Sequence, residues 1–260
     1  MKTYIVNLVS SIERKKHMDS VIKKCNSIEV YFFEAVDGRQ MNEEERKKIF
    51  NYGKSYKKYG RILWDGEVGC TLSHYKVYQQ IVNEKENFAI ILEDDIEDLS
   101  NINNDLLTML KPYYDTDIPT VILLTGNYQY CKLKKISIIY KIASVFDAYY
   151  TSGYIINNKA AEIISNEKPF WYADDWWYFK SKGVKVMGLK PHIVDPIPRD
   201  ILSSIIQTGD RFSTKLNRKN MTMFNAIESF YHFGMKKIFK ILGFYEPKYR
   251  NDKQDREKIK

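Results

Sequence analysis

The sequence predicts an α/β protein, because short apolar runs alternate with helical patterns along most of its length. Three stretches carry that expectation. Residues 4–8 alternate as a strand and run into Ser10-Ser11, a helix cap followed by Glu13 and Arg14 in the opening turns. Val68, Leu72, Val77 and Ile81 recur at helical spacing and lead into Phe88-Ala-Ile-Ile-Leu92, which reads as a buried strand. Apolar runs at 120–124 and 184–189 extend the same pattern towards the C-terminus.

Between these anchors the elements follow in order. Residues 29–36 form a second strand that turns at Asp37-Gly38. Asn42 caps a charged helix with Glu43, Glu44 and Glu45 in its first turn, and Gly53 stops it. Residues 54–65, rich in Lys, Tyr and Gly, read as a loop that folds over a ligand. Gly66 and Gly69 open the next helix and allow close backbone approach, and Ser73 and His74 lie one turn further on. A short helix at 106–110 precedes the strand at 120–124. Lys132, Lys134 and Lys135 then begin a connection towards 136–142. Residues 148–156 read as one strand with Gly153 inside it, where glycine permits close contact with a ligand or backbone. A helix at 158–165, the aromatic stretch 169–179 and a strand at 184–189 with His192 just past it complete the body.

A chain of 260 residues buries a substantial core without disulfides, and its three cysteines, Cys25, Cys70 and Cys131, are widely spaced. That usage points to reduced thiols in a cytoplasmic protein. Residues 1–9 read as a strand and not a signal peptide, and no apolar run reaches the roughly 18 residues of a membrane span. Residues 1–210 hold 28 basic and 28 acidic residues, whereas residues 211–260 hold 13 and 5, so the whole net charge of +8 sits in the last fifty positions. That asymmetry argues against nucleic acid, whose binders spread basic residues over a folded face.

The chemistry concentrates at Glu93, Asp94 and Asp95. Adjacent carboxylates at a strand end repel one another unless a cation or ligand donors offset them. Strand alternation sends Glu93 and Asp95 to one side and Asp94 to the other. Hard oxygen donors suit Mn²⁺ or Mg²⁺, and His192 after the later strand is positioned in sequence to join them. A solvated acidic turn accounts equally well for an isolated triplet. The stretch Trp171 to Phe179 adds Asp174 and Asp175 beside Trp176 and Trp177, and aromatic faces next to carboxylates suit sugars. A core helix capped by aspartate is the plainer alternative, as a hydrogen-bonded structural histidine is for His74.

Taken together, Asn7-Leu8 with Glu13-Arg14, Ala35-Val-Asp-Gly38, Gly66-Glu-Val-Gly-Cys70, Ser73-His74, Ile91-Leu-Glu-Asp-Asp95, Ser152-Gly-Tyr154 and Asp175-Trp176 resemble, in order, glycosyltransferase family 25. The resemblance covers about residues 1–205. It implies a GT-A fold, Rossmann-related and nucleotide-sugar-binding, with a UDP-sugar donor, usually Mn²⁺, and inverting transfer of a sugar, foremost galactose, to a lipooligosaccharide or other surface glycan. It puts Asp95 on the metal and Asp94 or Glu93 at the ribose or behind the metal. Asn7, Arg14 and Asp37 line the nucleotide side. Ser73 and His74 fall near the pyrophosphate, Gly153 and Tyr154 near the transferred sugar, and Asp175, with Asp174 as the alternative, acts as base. Two other readings use the same features: a nucleotidyl- or sugar-phosphate transferase, and a non-catalytic glycan-binding protein with Trp171, Trp176 and Trp177 as its surface.

The expected domains are 1–210, catalytic, and 211–260, an amphipathic basic extension. In the latter, Phe224, Ile227, Tyr231, Ile238 and Leu242 recur at helical spacing, while Ser229, His232, Lys236 and Lys240 line another face. Gly243 ends that helix, and a charged, disordered terminus carrying Lys248, Arg250, Lys253, Arg256, Lys258 and Lys260 follows. The extension is expected to hold the protein peripherally on an anionic cytoplasmic membrane face, the inner membrane, that carries a lipid-linked acceptor. Packing on the body or on a second subunit is the alternative.

Overall fold

The computed structural model describes residues 1–198 and 221–249. Strands β1 (Lys2–Asn7), β2 (Glu29–Glu34) and β3 (Phe88–Glu93) are parallel, in the order β2-β1-β3. Helix α1 (Ile12–Ile22) makes the first crossover, and α2 (Glu43–Ile49), α3 (Tyr52–Tyr59) and α4 (Asp65–Asn83) lie between β2 and β3. Beyond β3 the sheet continues through β7 (Gly153–Asn157), antiparallel to both its neighbours, to β4 (Thr120–Leu123) and then β8 (Lys185–Lys190), which is parallel to β4. It then passes to β6 (Lys141–Ala148), β5 (Tyr128–Lys135) and β9 (Tyr245–Glu246), nine strands in all among the described residues. Helices α5 (Asn104–Tyr114), α6 (Asn158–Ser165), α7 (Trp176–Ser181) and α8 (Met223–Ile241) complete the chain. The mixed α/β class is the one the sequence predicts.

Side-chain alternation divides the core between the two faces of the sheet. Tyr4, Val6, Ala89, Ile91, Tyr154 and Ile156 pack with α4, α6 and α7, whereas Ile5, Ile90, Leu92 and Ile155 pack with α1 and α5. The same alternation runs past the last apolar residue of β3. Glu93 therefore emerges on the α4 side and Asp94 on the α1 side, at the carboxyl end of parallel strands where open α/β sheets bind ligands.

Four expectations are corrected. The Asn42 helix ends at Ile49, and residues 54–59, expected as loop, belong to α3. Asn51 recaps the chain by accepting from Lys54 N, and Gly60 closes the helix in the left-handed region at φ 68°. Residues 132–142 are a hairpin of β5 and β6, in which the lysines are exposed side chains on a strand. The strand expected over 148–156 breaks at 149–152, where Tyr150 takes φ 72°, so β6 and β7 are separate strands. Finally, the chain past Gly243 is ordered at 244–249: β9 pairs with β5, and the buried Glu246 binds His192 and Lys190. The expected boundary at 210 and the basic residues from Arg250 onwards lie outside the described residues.

Candidate active site

Two pockets flank the 149–152 break. The smaller opens where β1, the turn after β2 and α4 meet the end of β3, and its walls include Arg14, Asp37, Ser73, His74 and the Glu93-Asp94-Asp95 triplet. Glycine contacts explain how the walls come so close. A Cβ on Gly69 would lie 2.6 Å from the carbonyl oxygen of Val36, and one on Gly38 would lie 2.0 Å from that of Asp65. Ser73 Oγ accepts from Val36 N at 2.8 Å and donates to Gly69 O at 2.7 Å, clamping the turn to the helix.

Each carboxylate of the triplet has a different environment. Asp94 is held from the α1 side, accepting from Arg14 Nη1 at 2.6 Å and Asn7 Nδ2 at 2.7 Å. Its burial outweighs those two bonds and raises its pKa above the ordinary value. Glu93 accepts from Thr151 Oγ1 at 2.5 Å and lies 3.5 Å from His74 Nε2. Against burial, His74, Thr151 and Arg14 hold its pKa below the usual carboxylate range. Asp95 is held less firmly: Oδ1 is buried with no hydrogen-bond partner, and burial together with the Glu93 charge outweighs Arg14 and pushes its pKa up to about 7.

An orphaned carboxylate oxygen beside a second carboxylate fits a hard divalent ion such as Mn²⁺ or Mg²⁺. His74 adds a nitrogen donor. Its Nδ1 is hydrogen-bonded to Tyr154 Oη at 2.7 Å while the buried Nε2 has no hydrogen bond, the arrangement by which an outer partner orients a ligating imidazole. Cys70, His74 and Glu93 bring potential ligand atoms within 4.8 Å of one another. Cys70 was missed in sequence because its thiol stands alone there, although it lies four residues before His74 and so on the same helical face.

His192 does not join this set. Its ring is fully buried, with Nδ1 2.7 Å from Glu246 Oε1 and Nε2 2.8 Å from Asp195 Oδ1, so both nitrogens are engaged. Those two carboxylates raise its pKa in spite of burial. Three other expected ligand contacts move into the core. Tyr154 is buried, and its hydroxyl bridges His74 and Tyr78, so it positions the histidine. At Gly153 an added Cβ would meet Val194 and Leu92, so packing and not a ligand requires the glycine. Trp176 is fully buried against Tyr154 and Phe179 and donates Nε1 to Tyr150 O at 3.1 Å. Trp171 is buried too, so of the three tryptophans in the non-catalytic reading only Trp177 faces a pocket. Asp37 does line the pocket, where the Arg39 guanidinium grips both its oxygens and lowers its pKa.

The larger pocket, about 590 Å³, lies between α3, α7, β6 and α8. Trp177, Asp174 and Asp175 line it as the sequence suggests, together with Tyr172 from the same aromatic stretch and Lys58, Tyr59 and Arg61 from the segment expected as loop. The two aspartates have separate tasks. Asp175 caps α7, accepting from Tyr178 N at 2.9 Å through Oδ1 and from the Tyr59 hydroxyl through Oδ2. Asp174 accepts from Tyr150 N at 3.0 Å through Oδ2 and has no side-chain donor among the described residues. Burial, with the Asp175 and Glu93 charges, pushes its pKa up to about 6. Tyr150 and Thr151 thus hold Asp174 and Glu93 from adjacent positions, so one four-residue break joins the two pockets.

The family model described as glycosyltransferase family 25 (LPS biosynthesis protein) matches residues 1–175. Human procollagen galactosyltransferase 2 is 22% identical over 218 residues, covering 74% of this chain and 34% of the relative. A glycosyltransferase 25 family member of Aedes aegypti is 35% identical over 98 residues, 36% of this chain and 16% of the relative. The chain thus spans about a third or less of these relatives' lengths. The solved glycosyltransferase GlyE of Streptococcus pneumoniae TIGR4 aligns over 71% of this chain and 44% of its own, at 12% identity and a TM-score of 0.33.

Proposed function

From the premise that the chain belongs to glycosyltransferase family 25, we propose that it moves a sugar, galactose first among candidates, from a UDP-sugar to a hydroxyl of a surface glycan with inversion at the anomeric carbon. The observation that carries this reading is the pair of carboxyl groups flanking the 149–152 break. Asp95 is orphaned in the smaller pocket, and Asp174 is poised near neutrality in the larger one.

The donor fits the smaller pocket, with the diphosphate near Asp95 and the nucleoside towards Asp37 and Arg14. Mn²⁺ or Mg²⁺ in this pocket, which Asp95, Glu93 and His74 all line, would offset charge developing on the departing diphosphate. Asn7 and Arg14 keep Asp94 turned away from the cation side. Tyr154 orients His74, and Thr151 fixes Glu93.

The acceptor fits the larger pocket, where Trp177 and Tyr172 offer ring faces and Asp174 a carboxylate that Tyr150 N holds through Oδ2. As the acceptor oxygen bonds to the anomeric carbon, its proton passes to Asp174 and the donor bond's electrons leave with UDP. A carboxylate with a pKa of about 6 is mostly ionised at neutral pH yet is a stronger base than an ordinary aspartate. Asp175, expected as the base, is committed to the α7 cap and positions its neighbour. A panel of UDP-sugars with a glycan acceptor and Mn²⁺, read by mass spectrometry, tests the assignment. Addition of one sugar residue with release of UDP is expected. Addition of a nucleotide or a sugar phosphate would favour the nucleotidyl- or phosphosugar-transferase reading.

A further inference from the structure

Helix α8 is turned inside out relative to an ordinary surface helix. Its polar residues face the body: Glu228 accepts from Trp177 Nε1, and His232 and Lys236 pair with Asp147. Its apolar stripe faces solvent, with Ile227 59%, Phe230 70% and Ile241 79% exposed. A surface helix normally buries that stripe. Here Ile227, Phe230, Tyr231 and Ile238 line a shallow apolar groove instead. The helix is also pinned. Asn225 Nδ2 donates to Lys57 O at 3.0 Å at one end, Phe239 packs on Phe146 in the last turns, and β9 ties the following residues into the sheet.

We infer that the outward face of α8 docks on an anionic lipid bilayer, with Ile227, Phe230 and Ile241 entering the headgroup–acyl boundary. Charge selects this occupant over a second copy of the chain. The described stretch that contains the stripe, residues 221–249, carries Lys236, Lys237, Lys240 and Lys248 against Glu228 and Glu246, and both of these carboxylates are bound to the body. Two copies meeting face to face would bring like charges together, whereas an anionic surface attracts them and salt screens that attraction. Among the described residues no helix is long and apolar enough to cross a membrane, so docking is interfacial.

The inner face of the same helix walls the larger pocket through Asn225, Glu228, His232 and Lys236. Docking therefore sets that pocket's rim at the headgroups, where a lipid-linked glycan would present its terminal sugar. This last step rests on the transfer reading, but the docking itself does not.

The test is flotation of the full-length protein with phosphatidylcholine vesicles, with and without phosphatidylglycerol, at low and high salt. The triple variant Ile227→Ser/Phe230→Ser/Ile241→Ser is run beside the wild type. Light scattering reports oligomeric state, thermal melting reports folding, and transfer to a lipid-free glycan reports the catalytic site. Wild type is expected to float with anionic vesicles and progressively less as salt rises. The variant should lose about tenfold or more of that partition while keeping its melting temperature and lipid-free turnover. Equal flotation of both proteins, or no flotation of wild type with anionic vesicles, overturns the inference. A wild-type dimer that the variant dissolves, without flotation, assigns the face to a second copy and overturns it as well. Absent lipid-free transfer by a protein that still floats would count against the transfer reading alone.

Discussion

Replacing Asp95 with Asn should stabilise the ion-free protein while abolishing its response to Mn²⁺. The Asp95 carboxyl moves from an ordinary value of 3.8 to about 7 in the fold, because it is buried beside Glu93 without a hydrogen bond to Oδ1. Folded-state protonation is thus favoured: the stability it contributes is full below about pH 4 and gone above about pH 7. At pH 8 the ionised group costs on the order of 4 kcal/mol from three pKa units at about 1.4 kcal/mol each. Relaxation and water access around the pocket bring the expected figure to about 2 kcal/mol. An uncharged Asn escapes that cost, and in a chain of this size about 2 kcal/mol raises the melting temperature by roughly 4–8 °C. Mn²⁺ at 100 times its dissociation constant should add about 2.7 kcal/mol to wild type and little to the variant. Differential scanning fluorimetry at pH 8, in chelator and in Mn²⁺, reads both effects. A variant less stable than wild type in chelator, or one with an undiminished Mn²⁺ shift, would refute the reasoning.

Other perturbations separate the remaining roles. Asp174→Asn should lower kcat by about 10²-fold or more with little change in donor affinity, the usual scale of losing a general base. Turnover near wild type would return the role to Asp175. Asp175→Ala should instead cost about 1 kcal/mol of stability through the lost α7 cap, visible in urea unfolding. Because the base acts when ionised, kcat should rise with pH through about 6 and level off above 7, and a profile still falling between pH 5 and 7 would contradict the assignment. His192→Gln should lower stability by about 1–3 kcal/mol, since it removes the imidazole that bridges the buried Asp195 and Glu246 and leaves Glu246 with Lys190. That loss should shrink as pH rises past 6.5, where the raised His192 begins to give up its proton. Isothermal titration should find Mn²⁺ binding unchanged in this variant, and abolished binding would restore His192 to the metal site.

What could be read in the sequence was whatever local periodicity dictates. Val68, Leu72, Val77 and Ile81 place the buried face of α4, and strand alternation sends Glu93 towards α4 and Asp94 towards Arg14. Asn42 and the 158–165 helix were equally legible, because capping is a short-range event. The misreadings arose where tertiary contacts decide. Tyr59 packs on Tyr172 and donates to Asp175, which draws a lysine-rich segment into α3. Tyr150 takes a left-handed conformation that a β-rich stretch conceals, and its amide and Thr151 then hold the two carboxylates. His192 looked like a ligand because nothing nearby in sequence announces Glu246, fifty-four positions later. The amphipathic pattern of α8 was visible, but which face meets the body depends on Asp147 and Trp177.

The central claim is an inverting transfer from a UDP-sugar, with Asp174 taking the acceptor proton. It is tested most directly by proton NMR of the first product formed from α-configured UDP-galactose, a glycan acceptor and Mn²⁺. The account predicts a β-galactoside appearing together with UDP. An α-galactoside, or no sugar transfer from any UDP-sugar tried in its place, would contradict it.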